Sequence, residues 1–201
     1  VGENMFGVSF ANLKKMAKTY RGEHGLALDL WDSGNHDARI LATMIADPDK
    51  VTVANLNQWV KQLDNYVVTG AFSTLVAKTK HARKKVEQWT RSRGEWVGAA
   101  GWNVLACLAS EERELPDATF RPYIKTIRGT IHQQKNRVRH CMNEALISMG
   151  VRSDGLHRMA VAAAKAIGKV EVDHGDTSCK TPDAIAYMEK TRAHRARKGK
   201  A

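Results

Sequence analysis

Residues 95–109 read EWVGAAGWNVLACLA. At 3.6 residues per turn the stretch is one helix, yet Gly98 and Gly101 each cost it on the order of 1 kcal/mol relative to alanine. A helix recovers that cost when a neighbour approaches its narrow side. Gly98, Ala99, Ala100 and Gly101 offer only backbone and methyl groups there, and Trp96 and Trp102 are expected to cover the rim. The stretch therefore points to helices packed closely on helices.

Two further segments share this design, HDARILATMIA (36–46) and NRVRHCMNEALISMG (136–150). Each begins polar and runs into a small and apolar stripe. The interval from Glu95 to Asn136 lies in the range of about 40–47 residues expected of HEAT repeats, whereas the interval from His36 to Glu95 does not. The remaining segments punctuate in the same way. Ser9 is placed to cap FANLKKMAKTY, Asn35 to cap the helix closed by Pro48, and Thr52 precedes VANLNQWVKQL. Asn136 reads as another cap. Thr181, Pro182 and Asp183 read as the cap, first position and first-turn acid of a last helix. With four prolines, abundant alanine and few β-branched runs, the fold class is all-α, about ten helices in an α-solenoid of HEAT-like antiparallel pairs. A globular bundle shares the pattern. One domain is expected over 1–201, with room for a missing N-terminal helix because the chain opens on Val1, and with 192–201 as a basic mobile tail.

The net charge of +11 is unevenly placed. Fifteen Lys or Arg face fourteen Asp or Glu in residues 1–117, but seventeen face seven in residues 118–201. A polyanion suits the second half, because each phosphate neutralised releases condensed counterions. The three cysteines are far apart and form no disulfide or knuckle spacing, which fits a reducing compartment. No long apolar run, membrane-binding stripe or cofactor motif is visible. The expectation is a cytoplasmic protein, nucleoid-associated when bound to DNA, with no cofactor and no membrane partner.

Taken in order, MFGVSFANLKKMAKTY (5–20), LALDLWDSGNHDARILATMI (26–45), WVKQLDNY (59–66) and EWVGAAGWNVLACLA resemble the AlkD-like DNA alkylation repair proteins, which are HEAT-like helical solenoids. The ending, with IHQQKNRVRHCMNEALISMG (131–150) and VEVDHGDTSCKTPDA (170–184), is similar to a shorter branch of that family. The resemblance implies double-stranded DNA as partner, held mainly through its phosphate backbone on a basic concave surface. It further implies hydrolysis of the N-glycosidic bond of N3- or N7-alkylated purines, without lodging the base in a deep pocket. In the family, tryptophans bracket the lesion, a carboxylate stabilises the sugar cation and an arginine supports the backbone. Here the first tryptophan falls on Tyr66, the carboxylate on Gly70, the arginine on Gly98 or Ala99, and a second tryptophan near Glu144. Activity as an enzyme is left open by these replacements. The alternatives are a non-catalytic DNA-binding scaffold and a HEAT-like module with a protein partner.

Asp64 is the nearest acid to Gly70, and with Tyr66 it forms the candidate catalytic pair. Asp64 and Asn65 read equally well as the start of a helix. Candidate nucleic-acid ligands are Arg39, Arg137 and Arg139, on two of the three similar helices, Arg83, Lys84 and Lys85 within AKTKHARKKVEQWTRSR (77–93), and Lys135 at an interhelical turn. In VEVDHGDTSCKTPD, His174 and Lys180 are candidates for phosphate. The mixture of His174, Asp173, Asp176 and Cys179 matches no metal spacing, so no metal is expected.

Overall fold

The computed structural model describes residues 4–112 and 114–198. Among them are eleven α-helices, two short 3-10 turns and no strand. The helices are α1 (Phe10–Thr19), α2 (His24–Asp32), α3 (His36–Ile45), α4 (Val53–Lys61), α5 (Tyr66–Ala77) and α6 (Ala82–Trp89). They continue as α7 (Glu95–Glu111), α8 (Arg121–Thr130), α9 (Asn136–Gly150), α10 (Asp154–Ile167) and α11 (Ala184–Lys198). The fold is all-α and built from helix pairs of the HEAT-like kind. The chain divides into two compact units, residues 1–104 and 105–201.

Helix starts follow local chemistry. The side chains of Ser9, Asn35, Thr52, Asn65 and Ser153 each accept a backbone N–H of the first turn that follows, satisfying donors that a helix leaves open. Two expected caps differ. α11 begins at Ala184, and Asp183 accepts from the Ala186 N–H at 2.8 Å, because the Thr181 hydroxyl is already engaged with His174. Asn136 is the first residue of α9, and its amide is used on another segment.

In the first unit, aromatic rings from α2, α4, α5 and α6 fill the core. Trp31 and Trp59 stack at 4.4 Å, and Phe72 lies 5.7 Å from both Trp31 and Trp89. The indole N–H of Trp31 donates to Gln62 Oε1 at 2.5 Å, so the buried ring keeps its one polar group satisfied. The narrow side of α7 meets the end of α6. A Cβ on Gly101 would lie 2.6 Å from the Thr90 nitrogen and 2.8 Å from Trp89 Cβ, so only glycine permits this approach. Ser73 also donates to the Ala100 carbonyl at 3.3 Å. Trp102 is a buried core residue, and Trp96 alone of the pair is partly exposed.

In the second unit, α9 packs against α8, α10 and α11. Gly150 admits Met188 of α11, whose sulfur would stand 2.0 Å from an added Cβ. Arg152 donates to the Ala109 carbonyl at 3.1 Å and lies over the Phe120 ring at 4.8 Å, tying the α9–α10 turn to the preceding segments. Residues 192–198, expected in the basic tail, continue α11. Arg192 pairs with Asp154 and Arg195 donates to the Val151 carbonyl at 3.3 Å. Residues 199–201 lie outside the described residues. No described helix is long and apolar enough to cross a membrane.

Candidate nucleic-acid interface

The basic run around α6 divides by helical geometry. Arg83 and Lys84 are exposed, as are Lys78, Lys80, Arg91 and Arg93, and among the described residues none of the six forms an ion pair with a carboxylate. Lys85, one position further and turned through about 100°, is only 2% exposed. Its ammonium donates to Asn57 Oδ1 at 2.6 Å and to Gln88 Oε1 at 3.4 Å, and lies 5.4 Å from the centre of the Trp89 ring. Burial first, then the neighbouring Lys84 charge, pulls its pKa below the ordinary lysine value. Lys85 is a core residue with a satisfied head group, which corrects its expected role as a phosphate ligand.

Arg39 is likewise occupied. Its Nε donates to the Trp31 carbonyl and its Nη1 to the Gln62 carbonyl, both at 3.3 Å, while the guanidinium lies 5.4 Å from the centre of the Trp31 ring. These carbonyls end α2 and α4, where a cation also opposes the negative end of the helix dipole. The half-buried guanidinium joins three helices rather than standing free on a surface.

The acid beside Tyr66 has a local task. Asp64 Oδ1 accepts from Asn65 Nδ2 at 2.7 Å, and Asn65 Oδ1 in turn accepts from the N–H groups of Val67 and Val68. Asp64 thus orients the cap of α5. Tyr66 opens the helix with half of its surface exposed. One turn later Gly70 leaves a gap, since an added Cβ would meet nothing within 4 Å. Gly98 and Ala99 are buried and carry no polar side chain.

In the second unit one face of α9 grips the loop 169–183. Asn136 Nδ2 donates to the Asp173 carbonyl at 2.7 Å and its Oδ1 accepts from the Asp173 N–H at 2.8 Å. Two turns on, buried Asn143 donates to the Pro182 carbonyl at 3.0 Å. Between these anchors His140 meets His174 edge to face at 5.4 Å, and His174 Nε2 is 3.0 Å from the Thr181 hydroxyl. His174 is therefore part of the loop's internal bonding. Lys135 and Lys180 are exposed, and Arg137 and Arg139 are half-buried, the latter donating to Asn136 Oδ1 at 3.5 Å.

Sequence reasoning passed over His140 and Asn143, and noted Glu144 only as the position near which a family tryptophan falls. Their spacing from Asn136 (i+4, i+7, i+8) on a helix otherwise apolar in its second half is the signal that marks them. Burial pushes the Glu144 carboxyl above the usual glutamate range. Burial, then the charges of His174 and Arg137, holds the His140 imidazole below the ordinary histidine value. Both groups are biased toward their neutral forms, as expected where water is scarce.

Comparison with known proteins agrees with this architecture. A solved structure of a protein described as belonging to a new family related to the HEAT-like repeat DNA glycosylases, with affinity for branched DNA structures, superposes with a TM-score of 0.88 at 25% identity. It spans 98% of this chain and 84% of that one. Uncharacterized protein Lin0241 of Listeria innocua is 32% identical over 193 residues, and Uncharacterized protein Lmo0209 of Listeria monocytogenes is 30% identical over 193. In each case 94% of this chain and 84% of the relative are covered. The sequence model of the DNA alkylation repair enzyme family matches residues 1–188, and on that span the chain belongs to the DNA alkylation repair family.

Proposed function

We propose that this protein binds DNA through its phosphate backbone, with a preference for branched over linear duplexes, and does so without acting as a glycosylase. The observation that carries the reading is the set of exposed cations around α6. Arg83, Lys84 and their neighbours lack acidic partners among the described residues, so their charge is available to an external polyanion. Lys135 and Lys180 add exposed charge in the second unit. The affinity for branched DNA stated for the structural relative supports the choice of DNA form.

The residues around Tyr66 speak against glycosylase chemistry. Departure of an alkylated purine leaves positive charge on the sugar, and a preorganised carboxylate is the direct way to stabilise it. Gly70 supplies none, and Asp64, six residues earlier, is an exposed acid whose Oδ1 accepts from Asn65. Tyr66 retains an exposed ring on which a base can stack.

Fluorescence anisotropy with a linear duplex and a three-way junction of equal length tests the binding. Junction affinity is expected to exceed duplex affinity. For six to ten phosphate contacts both should weaken by roughly 10³ to 10⁵ between about 50 and 200 mM salt. Flat salt dependence overturns the reading. Incubation with DNA containing N7-methylguanine should release no free base above buffer. Release of base would restore the glycosylase alternative.

A further inference from the structure

The loop 169–183 does more than bridge α10 and α11. Between it, the end of α10 and the flank of α9 lies a cavity of about 780 Å³, inside the range of roughly 300–1,000 Å³ typical of pockets for small organic groups. One wall is apolar, formed by Leu146, Ile167 and Ile185, with Pro182 at the loop's return. The remainder carries a small excess of positive charge, Lys165, Lys169 and Lys180 against Glu171 and Asp183. Lys169 is paired with Glu171 at 2.6 Å, and Asp183 is used at the start of α11. Lys165 and Lys180 remain, both exposed and with no acid partner among the described residues. The wall is held in place from α9 by Asn136 and Asn143, so the cavity is built by side chains whose bonds define its shape.

An anion with a flat apolar part fits this division of surfaces. We propose that the cavity receives an unpaired nucleotide of a DNA strand, its phosphate against Lys165 and Lys180 and its base against Leu146, Ile167 and Ile185. The inference rests on the DNA-binding reading and deepens it. A cavity of this size is too small for a duplex and large enough for one displaced nucleotide, which a branched or flapped DNA offers and a blunt duplex does not.

Two measurements test it. Cys179 lines the cavity and is exposed, so its labelling by a thiol reagent, followed by mass spectrometry, reports occupancy. Deoxyadenosine 5′-monophosphate should slow Cys179 labelling by about 3-fold or more, while deoxyadenosine or inorganic phosphate at the same concentration should not, because only the nucleotide fills both surfaces. The charge-reversed double variant Lys165→Glu with Lys180→Glu is then compared on a blunt duplex and on the same duplex with a single-stranded flap. It should weaken binding of both DNAs, and the loss for the flapped DNA should exceed that for the blunt one by roughly 10-fold or more. Lys14→Glu with Lys18→Glu, an equal charge change on exposed positions of α1, should lower both affinities by the same factor. Equal losses for the Lys165 and Lys180 variant on both DNAs overturn the proposal. Unprotected Cys179 beside intact DNA binding sinks the pocket alone, whereas failure of the unaltered protein to bind either DNA sinks the DNA-binding reading.

Discussion

The side-chain amide of Asn136 pairs with both backbone groups of Asp173, donating to the carbonyl at 2.7 Å and accepting from the N–H at 2.8 Å. A helix side chain here plays the part of a strand neighbour, and thirty-seven residues of sequence separate the partners. Asn136→Ala removes both bonds. At a net of about 0.5–1.5 kcal/mol per hydrogen bond, and with the site open to water, the expected loss is about 1 kcal/mol, or roughly 2–4 °C in Tm. Hydrogen exchange at the Asp173 amide should accelerate, while the core of the first unit keeps its protection. Unchanged exchange at Asp173 would deny the anchor.

Lys84 and Lys85 should separate binding from stability. Lys84→Ala is expected to change stability by no more than about 0.5 kcal/mol while weakening DNA binding and lowering the salt slope by about one. Lys85→Ala removes a buried stem and its bonds to Asn57 and Gln88, and should destabilise by about 1–3 kcal/mol with DNA affinity of the folded protein retained. Chemical denaturation and anisotropy on the same preparations decide the matter.

Two helical glycines should respond in opposite directions. Gly101→Ala drives a methyl into backbone atoms of Thr90 and Trp89 and should cost about 1–3 kcal/mol through overpacking. Gly70→Ala meets open space and should stabilise by up to about 1 kcal/mol through helix propensity. Thermal unfolding of both variants measures the contrast.

The polar row on α9 predicts two pH effects of opposite sign. Glu144 has its pKa raised by burial, so above that folded value its charge penalises the native state, and the penalty is gone below the unfolded value. Glu144→Gln should therefore raise Tm near pH 8, with the gain fading as the pH falls through the glutamate range. His140 has its pKa lowered, chiefly by burial, from the ordinary histidine value of about 6.5. Its neutral form contributes stability fully above about 6.5, and that contribution is lost as the pH falls toward the depressed folded pKa. His140→Asn should flatten the fall in Tm across that acidic window.

What the chain determines by itself is local. Ser9, Asn35, Thr52 and the Asp64–Asn65 pair mark helix starts because a side-chain oxygen can reach an amide two or three residues away, whatever the rest of the protein does. The small-residue face at 98–101 points to close helix packing, and Gly101 makes that approach against Thr90 and Trp89, whereas Gly70, equally helical, faces open space, so a glycine in the sequence does not by itself show which kind it is. Tertiary structure alone decided which cations stay at the surface. Lys84 and Lys85 are neighbours of the same type, and only the position of Asn57 and Trp89 turns one into core. Arg39 became an internal clamp for the same reason, its partners being the ends of α2 and α4. The Asn136 cap failed because a backbone segment far along the chain offered that amide two bonds in place of one. Helix starts depend on neighbours within a single turn, whereas burial and charge pairing depend on contacts between segments distant in sequence.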